Sequence, residues 1–212
     1  MKAVLVSQRL VTGPESGEIR ETLDVEWGAF LSQCGLIPIP VSLKARTSTY
    51  FETFRPAGVL LTGGNDLAIC NPQDPLNAER DGLESLLSQQ GIERNLPLLG
   101  VCRGMQMICH HFGSRLEARK GHINQHHAIE IQKNSALESF YGNYSEVNSY
   151  HQFCVTRLED GLRELARAGN DQTIEAIQHE KFKIIGVMWH PERVKPFSLA
   201  DVNFFSSFFS TK

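Results

Sequence analysis

The run Pro97-Leu-Leu-Gly-Val-Cys-Arg-Gly-Met-Gln106 holds the chain's most reactive chemistry. An apolar stretch of strand length enters Gly100-x-Cys102-x-Gly104 and turns at once into helical spacing, the thiol form of a nucleophile elbow. A sharp strand-to-helix turn lifts the reactive atom into the open, and the flanking glycines leave room for backbone to pass closely. The helix N-terminus places partial positive charge beside the sulfur, which favours thiolate. The free amide of Arg103 could donate to an oxyanion forming on a substrate. A cysteine taken alone is most often a small buried hydrophobe, and Cys34, Cys70, Cys109 and Cys154, which lack this context, read as structural.

A thiolate nucleophile needs an imidazole and a group to orient it. Of the eight histidines, His190 follows the apolar run Ile184–Trp189 and precedes Pro191-Glu192. Residues two apart in extended chain share a side, so Glu192 can accept from one ring nitrogen and leave the other to face sulfur. The order nucleophile, histidine, acid, with the acid two residues after the histidine, differs from the α/β-hydrolase order. His122, His126 and His127 invite a zinc reading, but no acidic or cysteine ligand accompanies them at metal spacing. They read as a polar loop, with no metal or other cofactor expected.

These groups need a scaffold. The 212 residues are 41% hydrophobic and 21% charged, enough for one domain spanning 1–212 with a proper core. A net charge of −3 excludes the broad basic surface of a nucleic-acid polymer binder. No apolar run reaches the ~20 residues of a membrane span, and Met1–Ser7 reads as a buried strand and not a signal peptide. Five scattered cysteines without a CxxC argue against a disulfide scaffold and for a reducing, cytoplasmic setting.

Strand-length runs at Ala3–Val6, Leu36–Val41, Gly58–Thr62 and Pro97–Val101 alternate with helical periods at Glu21–Leu31, Ala78–Gln90 and Arg103–Phe112. That rhythm predicts crossover units and a parallel sheet. Strands at 128–132, 146–149, 153–155, 173–177 and 183–187 follow, several separated only by turns, before a closing helix at Leu199–Phe209. The expected fold is an α/β three-layer sandwich with a mostly parallel central sheet plus a small antiparallel portion. Segment 115–127, polar and Gly-containing, reads as a cover for the cleft.

Leu61-Thr-Gly-Gly-Asn-Asp66, Gly100-Val-Cys-Arg-Gly-Met-Gln106, Asn148-Ser-Tyr-His151 and Gly186-Val-Met-Trp-His-Pro-Glu192 together resemble the class I glutamine amidotransferase domain. Cys102-Arg-Gly104 with Arg80, Asp81 and Glu84 upstream is similar to its γ-glutamyl-γ-aminobutyrate hydrolase (peptidase C26) branch. The resemblance implies a flavodoxin-like sheet order and hydrolysis of a γ-glutamyl amide through Cys102, His190 and Glu192, by way of a γ-glutamyl thioester. It also implies an oxyanion hole at Gly64 and Arg103, with Gly63, Gln106, Ser149 and Tyr150 holding the glutamyl end. Met188 stands where many members have Gln, and strand alternation points it into the core. Gln8-Arg9-Leu10, His122-Ile123 and Ile174-Glu-Ala176 resemble members whose leaving group is a nucleotide amidate, which implies a phosphate contact at Arg9, with His122, His126 or His127 as the other candidates. The implied partners are a small γ-glutamyl substrate with a nucleotide moiety and a second copy of the chain. A glutaminase subunit that passes ammonia to a synthase is the alternative. A non-enzymatic scaffold is the weakest reading, because cysteine, histidine and glutamate are all retained.

Overall fold

The computed structural model describes residues 1–159 and 161–210. The chain opens with β1 (Lys2–Val6), then a hairpin of β2 (Arg9–Thr12) and β3 (Ile19–Thr22) that forms its own two-stranded sheet. There follow α1 (Glu26–Gln33), β4 (Leu36–Pro40), α2 (Thr47–Phe54), β5 (Gly58–Leu61), α3 (Pro75–Glu93), β6 (Leu98–Val101) and α4 (Arg103–His111). The second half is mostly strand. It comprises β7 (Arg115–Ala118), β8 (Ile123–Ile131), the one-turn α5 (Glu138–Tyr141), β9 (Tyr144–Tyr150), β10 (Phe153–Arg157), β11 (Leu162–Ala168), β12 (Ile174–His179) and β13 (Ile184–Val187). A 3-10 turn at Pro191–Arg193 and α6 (Leu199–Phe208) complete it.

The main sheet runs β4-β1-β5-β6-β13-β12-β11-β8-β9, with β10 joining β12 to β7. Pairings from β4 to β13 are parallel, and those from β13 to β9 are antiparallel. All four residues of β5, β6 and β13 are buried, as expected of strands covered on both faces. One face carries Trp27, Phe30 and Leu31 of α1 with Phe204, Phe205 and Phe208 of α6. The other carries Phe51 of α2, Leu83 and Leu87 of α3, and Met105 and Ile108 of α4. Helix layer, sheet and helix layer thus form the expected sandwich. Met188 is fully buried in the second cluster. All five cysteines are free, and no described helix is long and apolar enough to cross a membrane.

Several boundaries differ from expectation, for identifiable reasons. The helix expected from Glu21 begins at Glu26, because Ile19–Thr22 pairs with Arg9–Thr12. Asp24 accepts from the Glu26 amide at 3.0 Å at the true start. α3 begins three residues before Ala78, where Asp74 accepts from the Leu76 amide and Pro75 takes the first turn. Segment 115–127 is no loose cover, since most of it is β7 and the start of β8, paired to β10 and β9. The antiparallel portion therefore takes in more strands than turn spacing suggests.

Candidate active site

β5, β6 and β13 are neighbours, and the chain leaving their carboxyl ends carries Gly63-Gly64, Cys102 and His190. Open α/β sheets bind ligands at such ends. Cys102 sits between β6 and α4 with φ 52° and ψ −107°, a conformation L side chains rarely adopt. Its amide donates to the Val187 carbonyl at 2.8 Å, and its carbonyl accepts from Gln106 at 3.1 Å. α4 passes so closely that a Cβ at Gly104 would lie 2.1 Å from the Leu61 carbonyl oxygen. One at Gly100 would lie 2.5 Å from Gly104 backbone. Close approach of backbone is therefore the physical content of the Gly-x-Cys-x-Gly spacing.

The His190 Nδ1 donates to Glu192 Oε1 at 2.7 Å with both side chains buried, and the ring shares the cavity wall with the Cys102 sulfur, each stabilising the other's charge. Asn148 of β9 clamps the histidine backbone from behind. Its amide nitrogen donates to the His190 carbonyl at 2.8 Å, and its side-chain oxygen accepts from the His190 amide at 2.7 Å. Trp189 donates its indole N–H to Asp201 of α6 at 3.0 Å.

Burial alone would raise the Cys102 thiol. The His190 charge and hydrogen bond, with His151 and the Arg103 amide, outweigh it and bring the thiol below its ordinary value. Burial likewise opposes a charged His190, yet Cys102 and Glu192 carry it up to about 9. Both shifts favour the thiolate–imidazolium form of the pair, which titrates as a unit.

A cavity of about 350 Å³ opens over the sulfur, with Cys102, His190, Gln106, Tyr150, Arg9 and Arg193 in its wall. Gly64 and Arg103 also line it. Gly63 and Ser149 lie behind the wall. Gly63 packs against the His190 ring, where a Cβ would meet Cε1 at 2.5 Å. The Ser149 hydroxyl donates to the His122 carbonyl at 2.8 Å. Gln106 donates to the Phe153 carbonyl at 2.8 Å, which sets its rotamer. Arg193 stacks on the Tyr150 ring at 4.7 Å. Arg9 lies against Gly64 and makes no ion pair among the described residues.

Arg80 of α3, fully buried, organises the loop after β5. It donates to the carbonyls of Thr62 at 2.7 Å, Gly63 at 3.2 Å and Gly64, while its Nε pairs with Glu84 at 3.0 Å. A trans peptide that turns its carbonyl toward Arg80 turns its N–H the other way. The Gly64 and Asn65 amides therefore face away from Arg80, and both residues belong to the cavity wall. Glu84 also accepts from Arg103, which pairs in addition with Asp81. Spacing alone does not identify Arg80 or Asn148 as organisers, because their partners lie in distant segments.

Of the three clustered histidines, His122 and His127 are buried and His126 is exposed. The fold brings them up to His151, just after β9, and to Glu175 of β12. The acidic group missing at local spacing thus comes from another strand. Its signal in the sequence is a lone charge inside the apolar run Ile174–Ile177, since a buried carboxylate requires partners.

The family model for peptidase C26 matches residues 8–192, a span that takes in Arg9, the elbow and Glu192. The chain belongs to the peptidase C26 family. As a family member it is a hydrolase acting on amide bonds. It is 35% identical over 191 residues to the γ-glutamyl-CDP-amidate hydrolase of Campylobacter jejuni, covering 89% of this chain and 88% of that one. It is 30% identical over 167 residues to anthranilate synthase component 2 of Saccharolobus solfataricus, covering 77% and 82%. A solved structure of a glutamine amidotransferase from Thermotoga maritima aligns at a TM-score of 0.66 with 14% identity, over 90% of this chain and 76% of that one. That last likeness is one of fold.

Proposed function

We propose that this peptidase C26 member hydrolyses a γ-glutamyl amide whose nitrogen carries a nucleotide phosphate, releasing glutamate and a nucleotide phosphoramidate. The observation that carries the chemistry is the buried Cys102 sulfur sharing a cavity wall with a His190 that Glu192 holds at 2.7 Å, ring and sulfur each favouring the other's charged form. The leaving group rests on Arg9, a cavity-wall guanidinium without an ionic partner among the described residues, and on the name of the 35% identical relative.

The Cys102 thiolate attacks the γ-carbonyl carbon, and the oxygen becomes an oxyanion that accepts from the Gly64 and Arg103 amides. Each such donor is worth about 10²–10³ in rate. As the tetrahedral centre collapses, the carbon–nitrogen bond breaks and His190 gives its proton to the departing nitrogen. The γ-glutamyl thioester remains. Water then attacks the thioester carbon, losing a proton to His190, and glutamate leaves as the thiolate is restored. Gln106 and Tyr150 hold the glutamyl end, while Arg9 and Arg193 meet phosphate oxygens.

The test is a panel of glutamine, γ-glutamyl-γ-aminobutyrate and a γ-glutamyl cytidine diphosphate amidate with the isolated chain. A preference of about 10²-fold for the nucleotide corresponds to about 2.7 kcal/mol of extra recognition and supports the reading. Equal rates across the panel remove the nucleotide and leave a general γ-glutamyl hydrolase. The relative that is an anthranilate synthase component carries the second reading, a glutaminase subunit. That reading predicts an isolated chain nearly inactive on all three compounds.

A further inference from the structure

Beside the cavity, with His151 in its wall, lies a polar cluster from which the proposed hydrolysis takes no nucleophile, base or oxyanion donor. His122 precedes β8, His127 lies in it, His151 follows β9 and Glu175 belongs to β12. All four are buried, and one donor atom from each lies within 4.8 Å of all the others. Glu175 Oε1 stands 3.7 Å from His122 Nδ1, 3.9 Å from His127 Nε2 and 3.6 Å from His151 Nε2. These separations are too long for hydrogen bonds. His127 Nε2, His151 Nε2 and Glu175 Oε2 have no hydrogen-bond partner. A buried polar atom left unsatisfied costs about 1–3 kcal/mol, and here His127 Nε2 and His151 Nε2 both stand within 3.9 Å of Glu175 Oε1.

The outward nitrogens, by contrast, are engaged. His127 Nδ1 meets the Ala128 carbonyl at 3.2 Å, His151 Nδ1 meets the Phe153 carbonyl at 3.2 Å, and His122 Nε2 meets the Asp171 carboxylate at 3.0 Å. Carbonyl and carboxylate oxygens only accept, so these nitrogens carry the protons. In a neutral imidazole the inward nitrogen is then a bare lone pair. The Ser149 hydroxyl lies 3.3 Å from His122 Nδ1 but donates to the His122 carbonyl at 2.8 Å, so it does not cap that lone pair. With the rings neutral, three lone pairs and a carboxylate thus converge, and the donor to that carboxylate is the Thr173 hydroxyl, 3.5 Å from Glu175 Oε1. Outward hydrogen bonds that fix the tautomer and aim each ring are how proteins orient histidine ligands.

We propose that His122, His127, His151 and Glu175 form a closed tetrahedral zinc site. Bond lengths of about 2.0–2.1 Å in a tetrahedron place ligand atoms about 3.3–3.4 Å apart, so the three histidine–glutamate separations need to contract only by tenths of an ångström. The wider separations between rings close as the imidazoles turn toward the ion. Three imidazoles and one carboxylate suit zinc better than the hard, oxygen-seeking magnesium or calcium. Four protein donors leave no open position, so the ion is structural. It ties β8, the end of β9 and β12 together behind the base. Asn148 on β9 holds His190 by two hydrogen bonds, and the Glu175 carbonyl accepts the Met188 amide at 2.8 Å.

The test reads metal and not turnover, so its outcome is independent of the proposed hydrolysis. The full chain is purified without added metal and assayed for metal content. It is then stripped with a chelator and titrated with zinc chloride, and separately with cobalt(II). The expected result is saturable binding of one zinc per chain, a higher melting temperature for the loaded form, and the intense visible bands of tetrahedral cobalt(II). His127→Ala and Glu175→Gln abolish stoichiometric binding, and Asp171→Asn, which removes only the orienter of His122, weakens it about 10–100-fold. Cys102→Ala keeps its zinc. Should the ligand variants fail to fold, Asp171→Asn and the stripped wild-type chain still decide the matter. Stripped wild-type protein that takes up no stoichiometric zinc overturns the proposal, as does wild-type zinc affinity in His127→Ala, Glu175→Gln or Asp171→Asn.

Discussion

Exchanging Glu192 for glutamine keeps a side-chain oxygen beside His190 Nδ1 and removes the negative charge that faces it and, at 3.5 Å, Arg193. The bond it alters is 2.7 Å long and buried. A hydrogen bond to a charged group contributes about 1.5–3 kcal/mol and a neutral one about 0.5–1.5 kcal/mol. The difference, about 1–1.5 kcal/mol, is about one pKa unit. His190, carried up to about 9 in the intact pair, therefore falls to about 8 in Glu192→Gln. The imidazolium must protonate the departing nitrogen, and it is present only below its own pKa. Activity is thus lost as pH rises through about 9 in the wild type and about one unit lower in the variant. A pH profile of kcat/KM on a γ-glutamyl amide, with thiolate absorbance recorded on the free enzyme, should show the alkaline limb displaced and rates near neutral pH little changed. At alkaline pH the loss is about tenfold. It stays modest because an imidazolium already bears both protons, so no tautomer is lost. In a serine triad, where the resting histidine is neutral, the equivalent change selects the wrong tautomer and costs about 10⁴. An unmoved alkaline limb, or a loss of that larger size at every pH, would refute the ion-pair reasoning.

Cys102→Ala is expected to reduce turnover to background while circular dichroism and melting stay near wild type; retained hydrolysis would dismiss the sulfur as nucleophile. Arg9→Met should lower kcat/KM for the nucleotide amidate about 10–100-fold, the worth of one charge-assisted phosphate bond, and leave glutamine hydrolysis unchanged. Equal effects on both substrates would remove Arg9 from phosphate recognition. Arg80→Met leaves Glu84 short of a buried partner and strands the Thr62–Gly64 carbonyls, at a cost of about 3–5 kcal/mol in denaturant unfolding. A loss below about 1 kcal/mol would mean that Arg103 neutralises Glu84 by itself. Gly104→Ala drives a Cβ into the Leu61 carbonyl, so a sharply lowered melting temperature or insoluble expression is expected, and a wild-type melt would show that α4 can shift away.

The elbow and the His-Glu pair were legible because each is local. Apolar runs ending at Val101 and Trp189 report burial directly, and a strand-to-helix change across Cys102 or a two-residue step from His190 to Glu192 fixes relative direction without long-range knowledge. Asp74-Pro75 is an equally local signal, an N-cap and a first-turn proline that mark where α3 starts. The sequence alone determined a mostly parallel sheet, its reactive elbow and the residues able to form a triad, because helical and strand periods encode which faces meet the core. Only the tertiary structure decided that Ile19–Thr22 pairs as a strand, that Arg80 gathers the carbonyls of the Gly63-Gly64 loop, and that Gly63 and Ser149 stand behind the cavity wall. It also decided that Glu175 joins His122, His127 and His151. Those outcomes depend on strand order and pairing between distant segments, and local spacing carries no record of which edges meet.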